Sequence, residues 1–469
     1  MVTRVKIATF IQTILLVLIG GIISWYIAEN PIPRDGLYLM MLLPILGAIA
    51  AAGLVCYNRE YNAGIGVYFF SGIIVIKYML MPLMMSISGG FLKWYRNPGT
   101  QAQNEFAVFV MVLELIISTL AIIYYIKKYN RIIRIEDGID LSHISSVTWI
   151  VIIMICMICI VRYNRLIGNV HFLTLSDTET VGSYEQIALQ VLKSYVFVRL
   201  VVLFKAKYTN NPKFRYVLFS LVAAIINCGL FFGINRSLIM QTAVATIMVL
   251  IYVYPSYRKI FIGTIIPIIV VLMLTITMLR HFNVELANAS SDVFDVDILS
   301  TTIESYTCGP LPITSTIDAA DKYRHLLGIK GMISDFVCNF FPFYFPGLSS
   351  IRDYFFDYGN TSQLYNQTIM NIGGMIPMIG QLSFYFGNYL AVAADICVYI
   401  WVARVLVTSS YKASRYRSVE HKFYYAWLTT LFSFAMCYCL ITFLWSWSKF
   451  GMFFLLLNWV NRRMILRRN

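Results

Sequence analysis

Long apolar spans limit what this chain can become more than any other feature of it. About twelve of them alternate with short polar connections, and the alternation breaks once, over a polar stretch from Arg280 to roughly Gly387. About 20 apolar residues, rising 1.5 Å each, cover the roughly 30 Å hydrocarbon core of a bilayer. With 59% hydrophobic residues the chain is excluded from the soluble globular class. Backbone polar groups in lipid must bond within the protein, so the spans read as helices, and no alternating pattern of barrel strands is present. Helices are expected near Ile7–Ala28, Leu37–Cys56, Ala63–Ile87, Glu105–Ile126, Val147–Val161, Ile187–Phe204, Tyr216–Gly233, Leu238–Tyr254, Phe261–Leu279, Asn388–Val407, Phe423–Leu440 and Ser446–Val460. The expected fold is therefore an all-α polytopic membrane protein. A transmembrane bundle of nine spans (1–279) precedes a long outer loop (280–387), and C-terminal helices (388–469) close the chain.

Lys and Arg orient the spans, because short cytoplasmic connections retain them. With Arg4 and Lys6 inside, the inner connections hold Arg59, the Lys127–Arg134 group, the Lys205–Arg215 group, Arg258 and Lys259, the Lys412–Lys422 group and the arginines from Arg462 onward. Both termini are then cytoplasmic, and Ile7–Ala28 reads as a retained anchor with no cleavable signal. Met370–Phe386 is apolar enough to cross, yet counting it would send the Lys412–Lys422 group outside. It also carries Gly373, Gly374, Pro377 and Gly380, which weaken a helix. It is read as an interfacial or re-entrant piece at the outer surface, and Met332–Leu348, with its two prolines, as a membrane-hugging segment.

The net charge of +14 follows the inner-loop bias and is no nucleic-acid footprint. Cys156 and Cys159 read as packing residues of a buried helix, and Cys308 and Cys338 are a possible pair in the outer loop. No Walker loop offers ATP as an energy source, and no dense His/Cys/Asp spacing calls for a metal or other cofactor.

Polar residues on the outer face carry the functional expectation. Arg236 and Ser237 open a span after a hairpin too short to hold them far from the bilayer. A helix start offers free N–H groups and partial positive charge, an anion site; the competing reading is an arginine snorkelling to lipid phosphates. Arg280 and His281 end the ninth span, and Arg162 and Arg165 follow the fifth on the same face. Guanidinium groups suit bidentate phosphate recognition. Lys193 and Arg199 are charges within a span, and such charges usually face a bundle interior; Lys193 lies nearer the outer side. In the long loop, Tyr306–Thr–Cys–Gly309–Pro310 is a turn signal ahead of Asp318, Asp321, Lys322, Arg324 and His325. Asp318, Asp321 and His325 share one helical face and are general acid–base candidates; alternatively the face is solvated and paired, as Asp318 with Lys322.

The arrangement Gly233–x–x–Arg236–Ser237 opening a span that ends Tyr252–x–Tyr254 resembles bacterial oligosaccharide repeat-unit polymerases of the Wzy type. So do Tyr306–x–x–Gly309–Pro310 and the Gly373/Gly374, Pro377, Phe386–Gly387 close of the loop. The likeness covers roughly Arg162 to Val407. It implies a GT-C-like, metal-independent glycosyltransferase in the inner membrane, joining undecaprenyl-diphosphate-linked repeats into O-antigen or capsule on the outer face. Membrane lipids, and a chain-length regulator and flippase as partners, would accompany it. Arg236, Arg280, His325 and Asp318 would then be catalytic. Arg162, Arg165, Lys193, His281, Tyr306, Lys322, Arg324 and Arg352 would bind substrate. One pattern of some members, Arg followed eleven residues later by Gly, is absent: Leu173 follows Arg162 and Gln363 follows Arg352. An O-antigen ligase, a lipid-linked oligosaccharide carrier and an assembly scaffold stay as alternatives.

The topology predicts that Asn360→Cys, in a background without native cysteines, reacts with an impermeant thiol reagent on intact cells while Ser414→Cys does not. Labelling of position 414 alone would reverse the orientation.

Overall fold

A computed structural model describes residues 2–89, 99–133, 138–140, 146–162, 170–172, 183–232, 236–265, 267, 296–340, 361, 364–365 and 376–466. Helices dominate, and the sheet found among the described residues is one two-stranded ribbon, Val170–Phe172 with Leu230–Phe232. Six helices among the described residues are long and apolar enough to cross a membrane: Phe10–Glu29, Tyr38–Tyr61, Ile65–Ile87, Gln101–Ile132, Asn388–Arg415 and Leu440–Arg463. A seventh results if Met240–Val253 and Pro255–Ile265, bent by 117°, are one broken span. The helices Ser146–Arg162, Ser183–Asn210 and Phe214–Gly229 also fall where the apolar pattern expects them. Most of the expected Phe261–Leu279 span lies outside the described residues.

The chain divides into two compact units that interleave in sequence. The first comprises Met1–Ile132, Asp292–Thr408 and Leu431–Trp445, and the second Ile133–Ser291, Ser409–Thr430 and Ser446–Asn469. In the first unit small residues set the helix approach, as is usual where helices pack without a hydrophobic drive. A Cβ on Gly20 would fall 2.5 Å from Ala48 Cβ and 2.8 Å from Pro44 O.

One expected span differs. The apolar run over 423–440 forms no continuous helix: Val419–Ser433 ends, Ala435–Cys437 makes a 3₁₀ turn, Tyr438 is extended, and a new helix begins at Leu440. The break survives because its carbonyls find side-chain donors. Lys77 Nζ donates to Met436 O (2.6 Å), Cys308 Sγ to Cys437 O (3.2 Å) and Tyr399 Oη to Ala435 O (3.5 Å). Irregular backbone at membrane depth persists only where protein satisfies it in this way. Within the piece expected to be interfacial or re-entrant, Met378–Phe386 is a helix of nine residues, too short to cross. Met378 through Tyr385 are buried, and a Cβ on Gly380 would meet Thr316 Oγ1 of helix Pro310–Phe340 at 2.2 Å.

The Tyr306–Pro310 motif folds as a helix-to-helix junction. Gly309 N–H donates to Glu304 O (2.8 Å) and Cys308 N–H to Ser305 O (3.4 Å), the two bonds of a Schellman end. Cys308, with φ of 51°, takes the left-handed position, which costs a residue with a Cβ about 1–2 kcal/mol. Pro310 then opens the next helix, where a missing N–H costs nothing. The Glu304 carboxylate accepts from Leu311 N–H (3.0 Å) and bidentately from Arg34 (3.2 and 2.8 Å), both side chains buried. Cys308 is a free thiol, so the possible pairing with Cys338 is not formed.

Removing one partner of a buried ion pair strands the other. Arg34→Met and Glu304→Met are each expected to lower thermal stability sharply in detergent. The double variant should recover part of the loss, with a coupling of about 0.5–3 kcal/mol. Strictly additive losses would contradict the pair's role in holding the junction.

Candidate functional site

The second unit carries the helix start expected to bind an anion. Arg236 is the first residue of helix Arg236–Val253, so the free N–H groups of a helix start lie at Arg236 and the residues after it. Just before it, the ribbon pairs Val170 with Phe232, His171 with Phe231 and Phe172 with Leu230. This ladder fastens the segment after the fifth expected span beside the approach to Arg236. Arg162 ends helix Ser146–Arg162 on the way to that strand. Lys193 sits under the ribbon. Its ammonium donates to Asn227 O (2.7 Å), in the last turn of helix Phe214–Gly229, and to Leu230 O, the first carbonyl of the ribbon strand. A cation there meets both unsatisfied carbonyls and the negative helix end. Two of its three donors are thus used to hold helix to ribbon. Arg199, which shares helix Ser183–Asn210 with Lys193, is buried and paired with Glu420 (2.6 Å), and donates to Tyr195 Oη (3.0 Å).

In the first unit, helix Pro310–Phe340 begins where the Gly–Pro signal expects it and presents the acid–base candidates outward. Lys322 donates to Asp318 (2.6 Å), and this hydrogen bond holds the ammonium above its usual range. Asp321 accepts from Asn388 Nδ2 (2.9 Å). Arg324 lies against Gly387, whose φ is 78°; a Cβ there would fall 2.3 Å from Arg324 Nη1. These contacts fasten the end of the loop, Phe386–Gly387, and the start of helix Asn388–Arg415 onto the Pro310 helix. His325 and Tyr306 are exposed. Gly328, with φ 49° and ψ −144°, kinks the helix one turn beyond His325. Arg165, Arg280, His281 and Arg352 lie outside the described residues, as do the side chains of Arg162 and Arg236.

Sequence reasoning did not find one carboxylate that the fold buries in this region. Asp335 is 1% exposed. It accepts from Thr361 N–H (3.2 Å), Thr361 Oγ1 and Tyr385 Oη (2.5 Å), while Gln381 Nε2 donates to Tyr385 Oη (2.6 Å). Burial pushes the Asp335 carboxyl above the usual range, against the pull of the Thr361 and Tyr385 hydrogen bonds. The cluster ties three stretches of chain that lie 26 and 50 residues apart. Among the described residues no group of three or more His, Cys, Asp or Glu is arranged to hold a metal ion.

Compared with protein-family models, with curated proteins and with solved structures, the chain finds no match.

Because the folded state raises the Asp335 pKa, it binds the proton more tightly than the unfolded chain. Its contribution to stability is complete below the ordinary carboxylate range and is lost as pH rises through the raised value. Thermal unfolding against pH should therefore show a decline in the wild type that Asp335→Asn flattens. Identical slopes in the two proteins would contradict the assignment.

Proposed function

We propose that this chain is a Wzy-type membrane glycosyltransferase, polymerising undecaprenyl-diphosphate-linked oligosaccharide repeats on the outer face of a bacterial inner membrane. In this reading about twelve spans form a GT-C-like body with both termini cytoplasmic. The observation that carries it is the helix start at Arg236, fastened by the Val170–Phe172 ribbon to the segment that follows Arg162 and Arg165. Free N–H groups and arginines on adjoining segments suit a diphosphate.

The reaction needs little else. The acceptor hydroxyl of a single lipid-linked repeat attacks the anomeric carbon of the growing chain. The bond from that carbon to the diphosphate oxygen breaks, and undecaprenyl diphosphate departs with the electron pair. Arg236 and Arg280 stabilise the departing charge. His325 or Asp318 takes the hydroxyl proton, with His281 an alternative; His325 is exposed, whereas Asp318 is engaged by Lys322. Arg162, Arg165, Lys193, Tyr306, Lys322, Arg324 and Arg352 are proposed substrate contacts, O-antigen or capsule the product, and a flippase and chain-length regulator the partners.

One observation favours a second reading, a carrier of lipid-linked oligosaccharide. Lys77 and Glu114 form an ion pair inside apolar helices (3.2 Å) beside the broken helix at Ala435–Cys437, and interrupted helices with buried charge recur in transporters. A deletion strain separates the two. Accumulation of single repeats at the cell surface fits the polymerase, and retention of repeats on the inner side fits the carrier.

In that strain Arg236→Ala and Arg280→Ala are expected to abolish long polymer with the protein still present in the membrane. Arg236→Lys should restore only part, because Lys loses the bidentate geometry. Full polymer length with Arg236→Ala would leave the arginine a lipid contact.

A further inference from the structure

The first unit buries more negative than positive charge at one point within its apolar helices. Lys77, Glu114 and Asp395 are 1%, 3% and 3% exposed, and they belong to helices Ile65–Ile87, Gln101–Ile132 and Asn388–Arg415. Lys77 sits on the π turn Ile76–Leu80, where Pro82 just beyond lacks the N–H for a regular ladder. Its ammonium is shared between Glu114 Oε2 (3.2 Å) and Met436 O (2.6 Å). Tyr399 Oη donates to Ala435 O (3.5 Å), next to the Met436 carbonyl that Lys77 holds. Tyr399 stands four residues after Asp395, so both side chains lie on one face of their helix, a turn apart. Asp395 accordingly lies within electrostatic reach of both Glu114 and Lys77. The other titratable groups facing the cluster are Tyr78, Cys308 and Cys437. Two polar atoms of the cluster, Asp395 Oδ1 and Tyr78 Oη, are buried with no hydrogen-bond partner.

Counting charge decides the protonation. Two carboxylates and one ammonium leave one uncompensated negative charge. An ion taken from water into such surroundings costs several kcal/mol even after relaxation, whereas a buried neutral hydroxyl lacking its partner costs about 1–3 kcal/mol. The nearby carbonyls at the break, Ala435 to Cys437, are electronegative as well, which deepens the negative potential. We propose that Glu114 and Asp395 hold a single proton between them, making the cluster a proton-binding site within the helix bundle. With that proton the site is neutral: one ammonium, one carboxylate, one carboxylic acid. The proton resides chiefly on Asp395, because Glu114 is the carboxylate that the Lys77 ammonium pairs with, while Asp395 Oδ1 has no partner. This assignment stands apart from the polymerase reading and rests on none of its residues.

Infrared spectroscopy of the purified full-length protein in lipid nanodiscs tests it. Around neutral pH the wild type should show the carbonyl stretch of a protonated, poorly hydrated carboxylic acid, displaced on deuterium exchange. Asp395→Asn should lose that band and keep its thermal stability, since Lys77 and Glu114 remain a neutral pair. Glu114→Gln should lose the band as well, because Asp395 then ionises against Lys77. Absence of the band in the wild type, or its persistence in both variants, overturns the proposal. A second measurement decides between a proton and a metal cation. Stability of the wild type should be the same in sodium, potassium and choline chloride. A stabilisation by sodium or potassium that Asp395→Asn abolishes would show a bound alkali cation in place of the proton.

Discussion

In hydrocarbon no water is available to accept or donate a hydrogen bond, so each polar group that enters must bring its partner with it. The interruption at Ala435–Cys437 shows how this requirement organises the first unit. A helix that stops inside an apolar bundle exposes carbonyls, and three side chains from other segments meet them: Tyr399, Lys77 and Cys308. Each donor brings a further requirement. Lys77 needs a counter-charge, found in Glu114. Cys308 must be held in place, and the turn that ends helix Val296–Tyr306 holds it in a left-handed conformation. That turn in turn depends on Glu304, which Arg34 clamps. Satisfying one break thus fixes helix Val296–Tyr306, and the Pro310 helix follows from its capped start.

The same accounting runs through the second unit. Lys193 supplies a carbonyl at the end of helix Phe214–Gly229 and steadies the strand leading to Arg236. Arg199 is matched by Glu420, which also accepts from Ser418. Charges within the spans are therefore mostly structural in their direct contacts. Among the described residues, His325 is exposed, and the helix start at Arg236 carries backbone N–H groups that the helix itself does not use.

What could be read along the chain was what depends on near neighbours. Span positions follow from about 20 consecutive apolar residues, and the start of the Pro310 helix follows from Gly309–Pro310. The Asp318–Lys322 contact follows from helical spacing. Even here chemistry intervened: the left-handed residue of the junction is Cys308 and not Gly309, because Gly309 is needed small, with Met81 Sδ 2.5 Å from where its Cβ would stand. What could not be read joins residues far apart. Arg34 and Glu304 are 270 positions apart, and Lys77 and Met436 are 359 apart. Asp335 resembles any helix acid until Thr361 and Tyr385 close on it. The break after Ser433 was hidden for the same reason, since its donors come from distant spans while its own residues are as apolar as any helix.

The central claim is that the chain forms glycosidic bonds between lipid-linked repeats. The direct measurement is reconstitution of the purified protein into liposomes with undecaprenyl-diphosphate-linked repeats and no nucleotide, followed by mass analysis of the lipid-linked products. The account predicts products that grow by whole repeats, with one undecaprenyl diphosphate released for each bond formed. Repeats that change leaflet but never lengthen would contradict it and identify a carrier.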